Sequence, residues 1–302
     1  MSDLNIVRSE WTITSAARQR RYLMLQPQNQ SSASLPVVID LHGSGIAPED
    51  HLRITDAQTL ATQAIVIAPE GAIPFTVAES LPPATAWNVP GIPMPGETGV
   101  RPDAGTVDDV AFIGHLIDDV VERQGADPAR IHLRGYSGGA RLASHIAAAL
   151  PHRIASIGCI AGVRFPPRPS SSMPPLLAIH GRQDPFNPFD GGTDERWCES
   201  VEYAVGRWAD HWGCHTRTER MIDDGVHEIR YERVDGSSPV RLIIVEEAEH
   251  SWPGTSDRRH IAAFGEAGAF SASTAYWRFV EEVEQVAPTS KTPSNTFPPP
   301  EG

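Results

Sequence analysis

The chain has 302 residues, 40% of them hydrophobic and 21% charged, which is enough to bury the core of one large α/β domain or two smaller ones. Its formal charge of −13 weighs against nucleic acid or an anionic membrane surface as a partner, because both select a basic face. No stretch reaches the roughly 18 apolar residues of a membrane span, and three cysteines without metal-ligand spacing argue against a disulfide framework or a zinc site.

The first segment, "MSDLNIVRSEWTITSAARQRRYLMLQP", lacks the apolar region of roughly 7–15 residues that a secretory signal carries, so the expected location of the chain as given is cytoplasmic. Its apolar residues alternate instead, at Trp11 and Ile13 and again at Tyr22 and Met24, as in a pair of antiparallel edge strands. Strands are then expected at 20–26, 37–41, 64–68, 131–134, 155–160, 176–180 and 241–245. Several of these are short continuous apolar runs, which suits strands covered on both faces of a mostly parallel sheet. Helices are expected at 55–63, 108–124, 139–150, 197–212 and 272–286. The alternation predicts an α/β fold, a mostly parallel central sheet with helices on both faces, in one domain over 1–286.

Two segments break the rhythm. Residues 71–106, rich in Pro and Gly, have no periodicity and are long enough to serve as a substrate lid. Residues 287–302, "APTSKTPSNTFPPPEG", have the composition of a disordered tail. The segment between Cys198 and Cys214 has helical spacing; helical throughout, it would hold the two sulfurs roughly 20 Å apart, so the thiols are expected to be free.

Chemistry concentrates in four places. "GYSGG" at 135–139 fits Gly-x-Ser-x-Gly between a strand and a helix, where small neighbours let a sharp turn expose the Ser137 hydroxyl. A serine needs a base, and the base a third group to hold it, in the chain order Ser, Asp or Glu, His. Asp184 follows a strand at the end of the sheet where parallel folds gather functional groups, with Asp190 as the runner-up. Of the later histidines, His211 and His215 flank a helix end and His227 and His260 fall in polar stretches, whereas His250 follows a strongly apolar strand. An oxyanion hole needs two backbone N–H groups, one from Gly138 and one from Ser44 in "DLHGSG".

Read in order, "DLHGSG" (40–45), "AWN" (86–88), "VDDVAFIGHLID" (107–118), "GYSGGARLA" (135–143), "IHGRQDPFNPFDGG" (179–192) and "EHSWPG" (249–254) resemble the α/β-hydrolase fold, specifically serine esterases of the polyhydroxybutyrate-depolymerase and feruloyl-esterase type. The resemblance covers about 40–254. It implies Ser137 as nucleophile, Asp184 as acid and His250 as base, with Ser44 and Gly138 as oxyanion donors. Trp87, Trp252 and His42 would then lie at the substrate pocket. No metal or organic cofactor is implied, the partner is a small-molecule ester, and the oligomeric state is left open. The secreted polymer degraders of that family carry paired cysteines and a leader that this sequence lacks, which favours a soluble small-molecule ester. The same residues would serve an acyltransferase or cyclase, and a catalytically silent binding protein would keep the fold alone. Finally, Glu246, Glu247 and Glu249 crowd His250 in sequence. They would favour its protonated form if they face it, or do nothing if solvent screens them.

Overall fold

The computed structural model describes residues 5–28, 35–77, 82–90, 107–193 and 195–286. Apolar runs settle as strands covered on both faces. In β3 (Val37–Leu41), Val37, Ile39 and Leu41 join the core on one side of the sheet and Val38 the core on the other. The same division holds in β4 (Ile65–Pro69) and β9 (Leu176–Gly181). With β7 (Ile131–Tyr136), β8 (Ser156–Ile160) and β12 (Val240–Val245) these six strands run parallel in the order β4-β3-β7-β8-β9-β12. Antiparallel pairs close both edges: β1 (Ile6–Ser15) and β2 (Arg18–Pro27) beside β4, β11 (Val226–Glu232) and β10 (Thr216–Asp223) beside β12. All ten form one sheet.

Helices α3 (Asp109–Gln124), α4 (Gly138–Ala149) and α5 (Val201–His211) cover one face through Phe112, Leu116, Leu142, Val205 and Trp208. The other face carries α1 (Pro48–Ile54), α2 (Ala57–Leu60), α6 (Arg258–Phe264) and α7 (Ala272–Val286), through Leu52, Leu60, Phe264, Tyr276 and Phe279. Helices on both faces are therefore observed as expected.

Several boundaries differ from the expectation. The helix expected over 55–63 is only the short α2, because Asp56 adopts a left-handed φ of 47° just before it; α1, started by Pro48, lies before the expected range and is an addition to it. The helix expected from 197 starts after Ser200, whose hydroxyl caps the Tyr203 N–H at 3.1 Å. Residues 195–197 form a separate short 3₁₀ turn, and no disulfide joins the three cysteines. Within 71–106, β5 (Ile73–Phe75) pairs antiparallel with β6 (Ala84–Ala86), so part of this segment is a small two-stranded sheet; 78–81, 91–106 and the expected tail at 287–302 lie outside the described residues. Strands β10 and β11 are additions to the expected set.

Beneath the central strands, Asp40 is fully buried. Its carboxylate takes the guanidinium of its register partner Arg134, His51 Nε2 at 2.9 Å and the Thr55 hydroxyl at 3.3 Å. Burial pulls the Asp40 carboxyl upward, but Arg134 and His51 outweigh it and hold the group well below the usual carboxylate range. This network ties α1 to β3 and β7 under the turn that carries Ser137.

Candidate active site

The three glycines around Ser137 mark this site, and the packing explains each. A Cβ on Gly135 would run into the Gly139 carbonyl, one on Gly139 into the backbone at Leu41 and His42, and one on Gly138 into the Ser44 hydroxyl. The chain can leave β7 and enter α4 at once only because these positions are bare. Ser137 sits at the bend with φ 51° and ψ −114°, a strained conformation for a residue with a side chain. Its N–H donates to the Ile160 carbonyl at 2.9 Å, which fixes the bend to β8. The hydroxyl is left partly exposed above the sheet.

His250 lies in the loop after β12, with its backbone anchored on both sides: its N–H donates to the Phe264 carbonyl at 3.1 Å, and its own carbonyl accepts from the Tyr136 hydroxyl at 2.6 Å. Its ring packs among Phe186, Tyr136 and Phe264 at 5.0, 5.4 and 5.7 Å between centroids. Nε2 is 3.0 Å from Ser137 Oγ, and Nδ1 is 2.7 Å from Asp184 Oδ2. Asp184, in the turn after β9, spends its other oxygen on the N–H groups of Phe186 and Asn187, at 2.9 and 2.8 Å. Burial works against its charge, but His250 and His180 prevail and keep the carboxyl well below the usual range. An ionised Asp184 accepts Nδ1–H and leaves the Nε2 lone pair facing the serine hydroxyl.

The structure thus brings Ser137, His250 and Asp184 together from three separate loops. Asp190 stands apart, with its side chain 90% exposed and 3.9 Å from Arg182 Nη1. Ser44 sits against Gly138 across the turn. Gly138 opens α4, where the first N–H groups lack acceptors within the helix. Ser44 and Phe75, Val77, Phe186, Trp197 and Phe264 line a cavity of about 110 Å³ over Ser137. That volume is roughly four water molecules, room for a short acyl group. Phe75 and Val77 belong to the segment expected as a lid.

The three residues expected at the substrate pocket are placed differently. His42 is fully buried, with Nδ1–H donating to the Gly43 carbonyl at 2.9 Å and Nε2 accepting from Gly71 N–H at 3.0 Å. Trp87 packs on that imidazole at 4.6 Å and donates Nε1–H to the His42 carbonyl at 2.7 Å. Trp252 lies edge-on to Tyr136 and near the Arg134 guanidinium. All three sit behind the cavity as packing, because each polar edge is already satisfied by backbone or each ring enclosed by core. The site also draws on Tyr136, Asn187 and His260, which the sequence motifs do not single out. His260 is buried, and its Nε2 accepts from the Trp252 N–H at 3.3 Å. The signal for Tyr136 is its place inside "GYSGG"; His260 has none, since its burial depends on the loop around His250.

Burial pushes both His42 and His260 down to about 3. Both imidazoles stay neutral in the fold, while unfolded histidines take up a proton near about 6.5. The unfolded chain therefore binds more protons between pH 6.5 and about 3, and stability falls as pH drops through that window. Between pH 7 and pH 5 the two groups should cost on the order of 3 to 4 kcal/mol, read as a lower urea midpoint. Equal midpoints at the two pH values would refute this.

The acidic run before His250 faces away from it. Glu246 Oε2 is 3.6 Å from Arg182 Nε, Glu249 Oε2 accepts the Glu266 N–H at 2.7 Å, and Glu247 is exposed. The Glu246→Gln, Glu247→Gln, Glu249→Gln triple variant should therefore keep the acidic limb of its kcat/KM–pH profile within about 0.2 units of wild type at low ionic strength. A limb displaced to lower pH would show that the carboxylates reach the imidazole.

The sheet order, the covering helices and the strained strand-to-helix turn define the α/β-hydrolase fold. No protein-family model matches the chain. A curated protein named "Putative esterase NocK", from Nocardia uniformis subsp. tsuyamanensis, is 29% identical over 160 residues, covering 52% of this chain and 42% of that protein. The chain thus matches less than half the length of this relative. Among solved structures, an acetyl xylan esterase from Aspergillus awamori aligns with a TM-score of 0.57 at 14% identity, over 85% of this chain and 99% of that one. Esterase PE8 aligns with a TM-score of 0.51 at 19% identity, over 85% and 97%. Among the described residues no helix is long and apolar enough to cross a membrane.

Proposed function

We propose that the protein is a serine esterase that hydrolyses an ester of a soluble small molecule through an acyl-enzyme. The observation that carries this is the continuous contact from Ser137 Oγ to His250 Nε2, 3.0 Å, and from His250 Nδ1 to Asp184 Oδ2, 2.7 Å, on a strained turn. Ser137 Oγ attacks the ester carbonyl carbon while its proton passes to His250 Nε2. The oxyanion accepts hydrogen bonds from the N–H groups of Gly138 and Ser44. His250 then gives the proton to the departing alkoxide, and the C–O bond breaks to leave the acyl group on Ser137. Water attacks the acyl carbon with His250 as base, releasing the acid and restoring the serine. Asp184 holds the imidazole in the required tautomer throughout.

The motifs shared with polyhydroxybutyrate depolymerases and feruloyl esterases support the acyl-ester class, as does the name of the curated relative. Residues 1–286 act as one catalytic domain, and Phe75 and Val77 at the cavity support a lid role for the segment that contains them. The test is a pre-steady-state burst with p-nitrophenyl acetate, equal in amplitude to the enzyme concentration, together with fluorophosphonate labelling of Ser137 located by peptide mass. Absence of both would overturn the reading.

A further inference from the structure

The end of β9 buries a second histidine against Asp184: His180, only 1% exposed. Its Nε2 lies 2.9 Å from the Asn187 carbonyl oxygen and 3.3 Å from Asp184 Oδ2. A carbonyl and a carboxylate can only accept, so Nε2 carries the proton, bonded to Asn187 with Oδ2 close beside it. Nδ1 is buried and has no hydrogen-bond partner among the described residues. A buried nitrogen left unpaired is costly, and an apolar side chain of similar shape would avoid the cost. Packing alone therefore does not account for an imidazole here, and the account has to lie with Nε2–H. Asn187 ties that group into the site. Its N–H donates to Asp184 Oδ1 at 2.8 Å, and its side-chain Nδ2 donates to the Ala161 carbonyl at 2.5 Å, one residue past the Ile160 carbonyl that holds Ser137.

Oδ2 is also the oxygen that meets His250 Nδ1, at 2.7 Å, so two imidazoles converge on one atom. From this juxtaposition we infer that His180 is a positioning residue for catalysis: its Nε2–H, anchored on the Asn187 carbonyl, holds Asp184 Oδ2 toward His250 and takes up part of that oxygen's charge. The role rests on the esterase reading and adds to it a residue that touches neither Ser137 nor the cavity over it. With Oδ1 held by the N–H groups of Phe186 and Asn187 and Oδ2 by His180, the carboxylate resists rotation while His250 moves a proton from serine to leaving group. Asp184 is also the charge that His250 feels most directly. The other ionisable groups around that ring, Tyr136 and His260, are neutral, because burial raises the Tyr136 hydroxyl far above its usual value and lowers His260 to about 3. Around His180 itself, Ile244 is the register partner on β12, and Phe189 lies edge-on at 5.9 Å, with the Arg182 guanidinium 4.2 Å from the Phe189 ring.

The test removes the donor and then restores it. His180→Phe deletes Nε2–H and fills the space, which leaves more negative charge on Oδ2 and favours the protonated form of His250. The acidic limb of its kcat/KM–pH profile for p-nitrophenyl acetate should rise by about 0.5 unit or more. Its plateau kcat should fall about tenfold, with KM changed less than about twofold, because the substrate wall is untouched. His180→Gln, whose amide N–H can stand in for Nε2–H, should keep the limb within about 0.2 unit of wild type. A limb unmoved in His180→Phe, whatever its rate, would overturn the inference, since loosened packing slows the enzyme without displacing the limb. A limb displaced as far in His180→Gln would overturn it too. NMR of the wild-type imidazoles supplies a measurement that does not depend on a variant folding. His180 should be protonated at Nε2 and bare at Nδ1, and its Nε2–H resonance should shift with the same midpoint as the titration of His250. A proton on Nδ1, or a resonance indifferent to His250, would overturn the inference. In each of these cases a wild type that still turns over ester leaves the esterase reading intact. No turnover of any ester, with Ser137 unlabelled, would overturn both.

Discussion

Ser137→Ala is expected to lower kcat for p-nitrophenyl acetate by about 10⁶-fold, leaving a rate near that of the binding surface and oxyanion donors alone. The loss is chemical rather than structural. Alanine keeps the same Cβ at φ 51°, so the turn carries the same strain, and the glycine contacts that allow the bend are unchanged. What disappears is the hydroxyl and its bond to His250 Nε2. One hydrogen bond to a partly exposed group is worth about 1 kcal/mol. In a chain of this size that is a melting shift of roughly 2–4 °C. Activity and melting temperature measured on the same preparation separate the two effects. A variant with the wild-type rate would remove Ser137 from the mechanism. One that loses its rate and also melts far lower would point to a turn that depends on the hydroxyl.

The central sheet is legible from its residues alone. "VVIDL", "AIVIA" and "LLAIH" read as strands because a parallel strand covered by helices on both sides must be apolar at nearly every position. Ser137 is legible because its neighbours have to be glycine, and the physical demand, close backbone approach, writes itself directly into sequence. By contrast, β10 is exposed at all eight positions and reads "TRTERMID". An edge strand bearing charges has no apolar alternation to betray it, and only the Asp224–Gly225 turn, with Gly225 at φ 62°, hints at a hairpin. The break at Asp56 is equally silent, since the run around it keeps helix-forming composition while Thr55 beside it donates its hydroxyl to the buried Asp40. Tertiary demands of that kind have no local signature. Trp87 and Trp252 illustrate the converse. Their motifs mark the neighbourhood of the site, but a motif cannot say whether an aromatic ring faces ligand or core, and here both rings are buried.

The second large effect is expected at the acid. Asp184→Asn should lower kcat by up to about 10⁴-fold, while Asp190→Asn should change it by less than about twofold. Asparagine at 184 keeps the shape of the side chain, and an amide oxygen in the Oδ1 position can still accept from Phe186 and Asn187. That orientation turns the amide NH₂ toward His250 Nδ1, which sits 2.7 Å from the present Oδ2. Two donors cannot face each other, so Nδ1 gives up its proton, Nε2 takes it, and the imidazole meets the serine hydroxyl with a hydrogen instead of a lone pair. Asp190 has no such role open to it, because among the described residues its exposed carboxylate reaches only Arg182, at 3.9 Å, and a solvated pair at that distance contributes little. Stability gives an independent reading of the same substitution. Because the folded Asp184 carboxyl lies below its unfolded value, its charge stabilises the fold above about pH 4, and that contribution is lost as pH falls further. Wild type and Asp184→Asn should therefore differ in urea midpoint at pH 7, with a gap that starts to narrow only below about pH 4 and still persists in large part at pH 3. If Asp190→Asn were the more damaging substitution, the acid would sit one turn later in the loop, and the 2.7 Å contact would be incidental to catalysis.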